Sequence, residues 1–226
     1  QKPAWMRWSI VVLILLIIVL SGTRSAWLMS AFIMVAFWWT QVRGRRFLLL
    51  VKSSVFLVIA SFTLWQVSPD FQSRITRSAA IFQGDTEGLD FALADRLPIW
   101  STAWHMFQDH PINGVGPRAF RKAYPEYAAQ DDVWLAQNTQ GLHAHHWVLE
   151  LLAETGLIGV LLFCLLGFMM VSLWHQHRQN IYLWAPTVAL MAAFLPVISL
   201  YSLFSSFWSI CLWWVLIVGF AAVRHD

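Results

Sequence analysis

The chain has 226 residues, of which 58% are hydrophobic and only 12% charged, and its mean hydropathy is +0.58. Soluble domains carry about a quarter of their residues charged, and no single core of this length could enclose 15 Trp and 16 Phe beside so many Leu and Ile. Much of the surface must therefore face lipid, and the small, dispersed net charge of +3 argues against nucleic acid as a partner.

The chain starts at Gln1 with an apolar run following almost at once, and it is read as the C-terminal part of a longer protein with earlier spans missing. That run has no small-residue cleavage site followed by a soluble chain, so it is not a secretory signal. A membrane-crossing helix needs about 20 mostly apolar residues. Residues 1–67 hold three such runs, at about 8–22, 25–42 and 47–67. Residues 147–226 hold three more, at about 147–174, 181–200 and 204–223. Cys164 and Cys211 lie inside these runs and are expected to act as small core hydrophobes rather than as a disulfide. If every run crosses, Lys2, Arg7, Arg43, Arg45, Arg46, Arg178 and Arg224 share one side, which the positive-inside rule makes cytoplasmic. The Gly22-Thr23-Arg24 turn, the segment 68–146 and the turn at Ser199–Ser206 then lie on the other side. The expected fold class is all-α: a polytopic transmembrane helical bundle with a large, partly helical periplasmic loop.

The loop is not a linker, because it carries Trp100, Trp104, Phe107, Phe120, Tyr124, Tyr127 and Trp134. Asp95 is placed to cap a helix running through Phe107, with Pro98 tolerated in its first turn. Trp100, Trp104 and Phe107 follow at i, i+4 and i+7, predicting one apolar face. His110-Pro111 ends that helix. A turn-rich stretch, Asn113 to Pro117, leads into a second short helix over 119–127.

Two arginines and a run of histidines carry the chemistry. Arg96 lies in the first turn of the predicted helix, where a cation is disfavoured unless an anion sits on the arginine and the free backbone N–H groups. The plainer alternative is a surface arginine satisfied by Asp95 or Asp90. Arg24, in Ser21-Gly22-Thr23-Arg24-Ser25, stands between two apolar runs on the non-cytoplasmic side. It is either an interfacial arginine reaching for lipid phosphate or a ligand for an anionic substrate at the outer membrane face. His143, His145 and His146 directly precede the fourth span, and Glu150 and Glu154 share a helix face with His146. Three histidines invite a metal, but the helical partner of His146 is Glu150 and no distant Cys or acidic cluster completes a ligand set. A neutral histidine at the water–membrane boundary also suits a general base near pH 7. Two arginines able to hold a dianion and a histidine able to take a proton together suit transfer from a phosphate-linked lipid donor to a hydroxyl acceptor.

These motifs resemble a known family. Ser21-Gly-Thr-Arg-Ser-Ala-Trp27 resembles the Ser-Gly-x-Arg-x-Ala-Trp signature of the O-antigen ligase/polymerase family. Arg96 with Trp100 and Trp104, then Pro111 to Pro117, resembles its loop pattern. His143-Ala-His-His-Trp-Val-Leu-Glu150 and Glu154-Thr-Gly-Leu-Ile-Gly159 resemble its His-x-His-Asn-x-x-Leu-Glu segment before a span, with His146 standing where the family has Asn. The resemblance implies a glycosyltransferase of the bacterial inner membrane, multi-pass, with its active site facing the periplasm. It would join a glycan from undecaprenyl diphosphate to a sugar hydroxyl of lipid A–core, with inversion and without metal or cofactor. It further implies that Arg24 and Arg96 hold the diphosphate and that His145 is the base. His146, Arg118 and Tyr127 are then substrate-binding candidates, with Arg118, Arg121 and Lys122 facing core phosphates or simply solvent. For Trp100, Trp104 and Tyr127 core packing is the competing role. The alternatives are an O-antigen polymerase or a ligase that glycosylates protein. From another class, a membrane transporter would carry ionisable groups or broken helices near the midplane; Pro186 and Pro196 are the hints of one.

Overall fold

A computed structural model of the chain describes residues 6, 13–14, 17–18, 21–41, 62–136, 143–177, 180–195 and 202–223. Most of the first and third expected spans lie outside these residues. So do Lys2, Arg7, Arg43, Arg45, Arg46, Arg178, Arg224 and Pro196. Among the described residues all regular structure is helical. The helices are α1 (Arg24–Gln41), α2 (Pro69–Ala79), α3 (Thr86–Leu93), α4 (Leu97–Asp109) and α5 (Phe120–Tyr127). They continue with α6 (Val133–Ala136), α7 (Trp147–Gln176), α8 (Ile181–Ala193) and α9 (Ser206–Val223), and a 3-10 turn, Ala80–Gln83, follows α2. The chain divides into two compact units, Gln1–Gly84 and Asp85–Asp226.

In the first unit, a turn at Ser21–Gly22 leads into α1. The Ser21 hydroxyl and the Trp27 indole N–H both donate to the Ile18 carbonyl, at 2.7 and 3.1 Å. Residues 62–67 are helical and give way to α2 at Ser68, whose side chain accepts from the Phe71 N–H at 3.2 Å. Pro69 in the first turn and Asp70 beside it complete a favourable helix start. α2 buries none of its residues. It touches the α1 entry through the Trp27–Phe71 ring pair, with centroids 5.4 Å apart.

The core of the second unit lies mostly inside the expected loop and is completed by Ala153 of the expected fourth span. Ile99, Ala103 and Met106 of α4 are buried with Phe120, Tyr124, Ala144 and Ala153. The helical period is as expected, but its phase is one residue off: the buried stripe is Ile99, Ala103 and Met106, while Trp104 is 45% exposed. A tryptophan needs a partner for its N–H, and Trp100 finds one at the rim, donating to the Ala144 carbonyl at 3.0 Å. The cap also differs from expectation. Asp95 adopts left-handed backbone (φ 58°), and it is Asp90 that accepts from the Leu97 N–H, at 2.9 Å.

The fourth expected span, 147–174, is broken. Gly156 has φ 58° and ψ −155° inside α7. In a straight helix Trp147 and Phe163 would be about 24 Å apart, yet their ring centroids lie 5.0 Å apart, and both rings pack on Phe194. α7 is therefore two arms meeting at a sharp bend. The arm 147–155 is packed on α4 and buries Glu150, Leu151, Ala153 and Glu154. The arm 157–176 is apolar all round and exposed, with Leu161 at 68% and Phe168 at 70%.

The loop 111–116 fills the break. The N–H groups of Val115 and Gly116 donate to the carbonyls of Ala153 and Glu154, at 2.9 and 3.0 Å. The N–H groups of Leu157 and Ile158 donate back to the carbonyls of Pro111 and Ile112, at 2.9 and 3.1 Å. Four polar groups that a helix break would orphan are thereby satisfied. So close an approach requires glycine on both sides: a β-carbon at Gly114 would lie 2.3 Å from the Glu154 carbonyl carbon, and one at Gly156 would lie 2.5 Å from that of Ile112.

By length and composition α7 is the one described helix long and apolar enough to cross a membrane, and with the bend at Gly156 that capacity falls to its arm 157–176; α8 and α9 contribute shorter apolar stretches that pack on each other. Both cysteines are free. Contrary to the expectation of core positions, Cys164 is exposed on the outer arm of α7 and Cys211 is half-buried.

Candidate functional site

His145 is the most constrained of the expected site residues. It lies two residues before α7, in left-handed backbone (φ 52°), a region that costs a non-glycine residue about 1 kcal/mol or more. Ala144, beside it, is fully buried, and its carbonyl is held by Trp100. The rings of His143 and His145 stand 3.9 Å apart, and His146 meets the edge of Trp100 at 5.6 Å. The α4 indole thus fixes the histidine segment from one side while α7 begins on the other. Burial, with the charges of His143 and Arg96 nearby, pushes the His145 imidazole down to about 3. It is neutral at any physiological pH.

Arg96 belongs to the same neighbourhood, since its charge acts on His145. It occupies the N-cap position of α4, but its side chain caps nothing there. The expected anion site on the free N–H groups of that helix start is largely closed. Asp90 takes the Leu97 N–H, and Pro98 has none to offer. What Arg96 can bring to an anion is its guanidinium.

Arg24 stands at the start of α1 in the first unit. Its Nη1 donates to the Ser78 hydroxyl at 2.9 Å, and Arg77 and Arg74 are close enough for their charges to oppose its own. Sequence reasoning passed over these partners. The signal was the spacing of Arg74, Arg77 and Ser78, which share one face of α2 at i, i+3 and i+4.

The remaining expected residues sit around the loop core. Tyr127 packs half-buried against it and its hydroxyl meets His110 Nε2 at 3.1 Å, so core packing accounts for much of its placement. Arg118 is exposed at φ 63°, with its backbone N–H donating to Glu154 at 2.5 Å; Phe120 donates to the other oxygen at 3.1 Å. Glu154, unread as a functional residue, is thus the anchor that orients the basic segment Arg118–Lys122. Glu150 accepts from the Ser202 hydroxyl and, at 2.9 Å, from the Leu203 N–H, tying α7 to the turn before α9. Among the described residues no group of three His, Cys, Asp or Glu side chains is arranged to hold a metal ion.

Residues 9–164, more than half of the chain, match the family described as O-antigen ligase. The chain belongs to the O-antigen ligase family. Membership places it in O-antigen and lipopolysaccharide biosynthesis, with ligase- or polymerase-type glycosyl transfer, glycan and lipid-linked substrates, and a membrane setting. No curated protein and no solved structure matches the chain. Within this O-antigen ligase match lie Arg24, Arg96, Arg118, Tyr127, His145 and His146, together with the Gly156 bend and the loop that fills it.

Proposed function

We propose that the protein is an O-antigen ligase that moves a glycan from undecaprenyl diphosphate to a sugar hydroxyl of lipid A–core at the periplasmic face of the inner membrane. In this reading, three spans in 1–67 and three in 147–226 flank a catalytic loop, 68–146. The exposed apolar arm 157–176 supports a lipid-facing role for that part of the chain.

The observation that carries the reading is His145: a half-buried imidazole in left-handed backbone, 3.9 Å from the His143 ring and within reach of the Arg96 charge, which with burial keeps it neutral. His145 takes the proton of the acceptor hydroxyl as its oxygen attacks the anomeric carbon from the face opposite the diphosphate. The glycosyl–oxygen bond breaks, its electron pair leaves with undecaprenyl diphosphate, and the configuration inverts. Arg24 and Arg96 stabilise the charge that develops on the leaving group. His146, Arg118 and Tyr127 contact substrate, and no metal or cofactor is required.

His145 is by itself a weak base, because burial, His143 and Arg96 all oppose its protonation. A bound diphosphate offsets the Arg96 charge and raises the proton affinity of His145. The base is thus a better proton acceptor with the donor in place, although burial, the largest cause of the shift, remains.

An acceptor competition tests the assignment. Purified protein given lipid-linked glycan donor, lipid A–core and a second lipid-linked glycan is expected to build the lipid A–core product. Chain extension of the lipid-linked glycan alone would make it a polymerase, glycosylation of a protein acceptor alone a protein ligase. Passage of donor across vesicles without transfer would favour a transporter.

A further inference from the structure

The short stretch between α3 and α4 follows an unfavourable path. Ala94 and Asp95 are consecutive non-glycine residues in left-handed backbone, at φ 64° and 58°. Residues so placed persist only where their surroundings over-determine them, and they concentrate at functional sites. Here the restraint falls on both peptides of Asp95. Its N–H donates to the Asp90 carbonyl at 2.9 Å, while the Leu97 N–H donates to the Asp90 side chain, also at 2.9 Å. From the other side the Trp134 indole N–H donates to the Asp95 carbonyl at 2.7 Å, across 39 positions of chain. That carbonyl belongs to the planar peptide joining Asp95 to Arg96, so a bond to its oxygen sets the plane from which Arg96 leaves.

Trp134 is itself held from the core. Its backbone N–H and that of Leu135 donate to Asp132 Oδ1 at 2.8 and 3.2 Å, and the hydroxyl of buried Tyr124 donates to Oδ2 at 2.9 Å. Asp132 is buried as well. A chain of contacts thus runs from Tyr124 through Asp132 and Trp134 to the peptide before Arg96. The Arg96 carbonyl accepts from the Trp100 N–H at 2.9 Å, and Trp100 grips the Ala144 carbonyl and meets the His146 ring. The start of α4 that carries Arg96 therefore also holds the histidine segment. A surface arginine gains nothing from so fixed a backbone, because its long side chain rotates freely. An arginine that must meet an anion beside His145 does gain, since misplacement by an ångström is costly.

We infer that Trp134, set by Asp132, is a positioning residue for Arg96: its bond to the Asp95 carbonyl fixes the peptide from which Arg96 reaches the donor. The inference rests on the reading that Arg96 meets the donor diphosphate, and adds the residues that place it. Trp134 acts through Asp95 and takes no part in the chemistry itself.

Full-length protein in nanodiscs is assayed for transfer from undecaprenyl-diphosphate glycan to lipid A–core, at a temperature where melting curves show wild type and variants folded. Trp134→Phe keeps the ring and removes its N–H. It is expected to lower kcat/KM for the donor by about tenfold in the wild-type background. In an Arg96→Gln background, already impaired, it should lower it no further, since residues that act as one unit are not additive. Asp132→Ala, which releases Trp134 without altering it, should show the same pattern. Asp132→Asn should retain wild-type transfer, because its oxygen can accept both N–H groups and its NH2 can donate to the Tyr124 oxygen. If Trp134→Phe fails to fold, the two Asp132 variants decide. An equal loss in both backgrounds would reduce Trp134 to a stabiliser of the loop and overturn the inference. So would wild-type transfer by Trp134→Phe beside an impaired Arg96→Gln, with the Arg96 reading left standing. Wild-type transfer by Arg96→Gln would remove that reading and the inference with it.

Discussion

At the scale of the residue, His145 concentrates the account. Its proton affinity lies far below that of a free histidine, with burial as the largest cause. The unfolded chain takes up a proton at this residue below about pH 6.5, and the folded chain does not until near pH 3. The unfolded state therefore binds more protons in that window, and stability falls as pH is lowered through it. Melting curves between pH 7 and pH 5 are expected to drop more steeply for wild type than for His145→Asn. The same shift predicts a kinetic pattern. The acid limb of kcat/KM, which reports the free enzyme, should lie lower than the acid limb of kcat, which reports the donor complex. Coincident limbs would contradict donor-coupled activation of the base. The histidine run and both arginines were legible in the sequence as candidates, each beside a plainer structural role at the surface or the membrane interface. Which histidine is held neutral was not, because that depends on Trp100, 44 positions away in the chain, gripping the Ala144 carbonyl.

At the scale of the element, the helix break at Gly156 is the feature that organises the second unit. The sequence around it reads as one long span, since apolar residues run from Trp147 to Trp174 and a glycine is tolerated in a helix at modest cost. What it hides is the partner: a turn-rich loop 40 residues earlier whose backbone replaces the missing helix bonds. The loop was visible as a turn-rich connection and Glu154–Gly159 as a family motif, and neither announced the bend or the other. The pairing makes a sharp prediction. Gly156→Ala and Gly114→Ala each force a β-carbon into backbone at a positive φ, and each should destabilise the protein by roughly 3 kcal/mol or more. Glu154→Gln replaces one of the two accepting oxygens with an NH2 group that cannot accept, so one of the two hydrogen bonds to the Arg118–Phe120 turn is lost, at a cost of about 1–3 kcal/mol. Thermal unfolding in detergent would rank the three. An unchanged melting temperature for either glycine variant would contradict the interlock.

At the scale of the whole molecule, composition alone demanded lipid, and the exposed apolar arm 157–176 answers that demand locally. Cys164 on that arm provides a native probe. In intact membranes it should resist a water-soluble maleimide and react with a lipid-soluble one. Cysteines introduced at exposed loop positions such as Gln108 or Glu126 should label from the periplasmic side. Labelling of those positions only after the membrane is opened to the cytoplasm would invert the proposed topology. The helical class was read correctly, and the aromatics and turn signals of 86–136 did mark helical, packed structure. The phase of α4 was misread by one residue, because three large aromatics suggested a buried face where two of them serve the rim.

The most direct measurement is glycan transfer by purified full-length protein, with undecaprenyl-diphosphate glycan as donor, lipid A–core as acceptor and EDTA present. Wild type should transfer, while His145→Ala should be slower by about 10²- to 10⁴-fold and Arg24→Ala and Arg96→Ala strongly impaired, all with the melting behaviour of folded protein. Transfer abolished by EDTA, or a folded His145→Ala variant that transfers at the wild-type rate, would contradict a metal-free ligase built on this histidine.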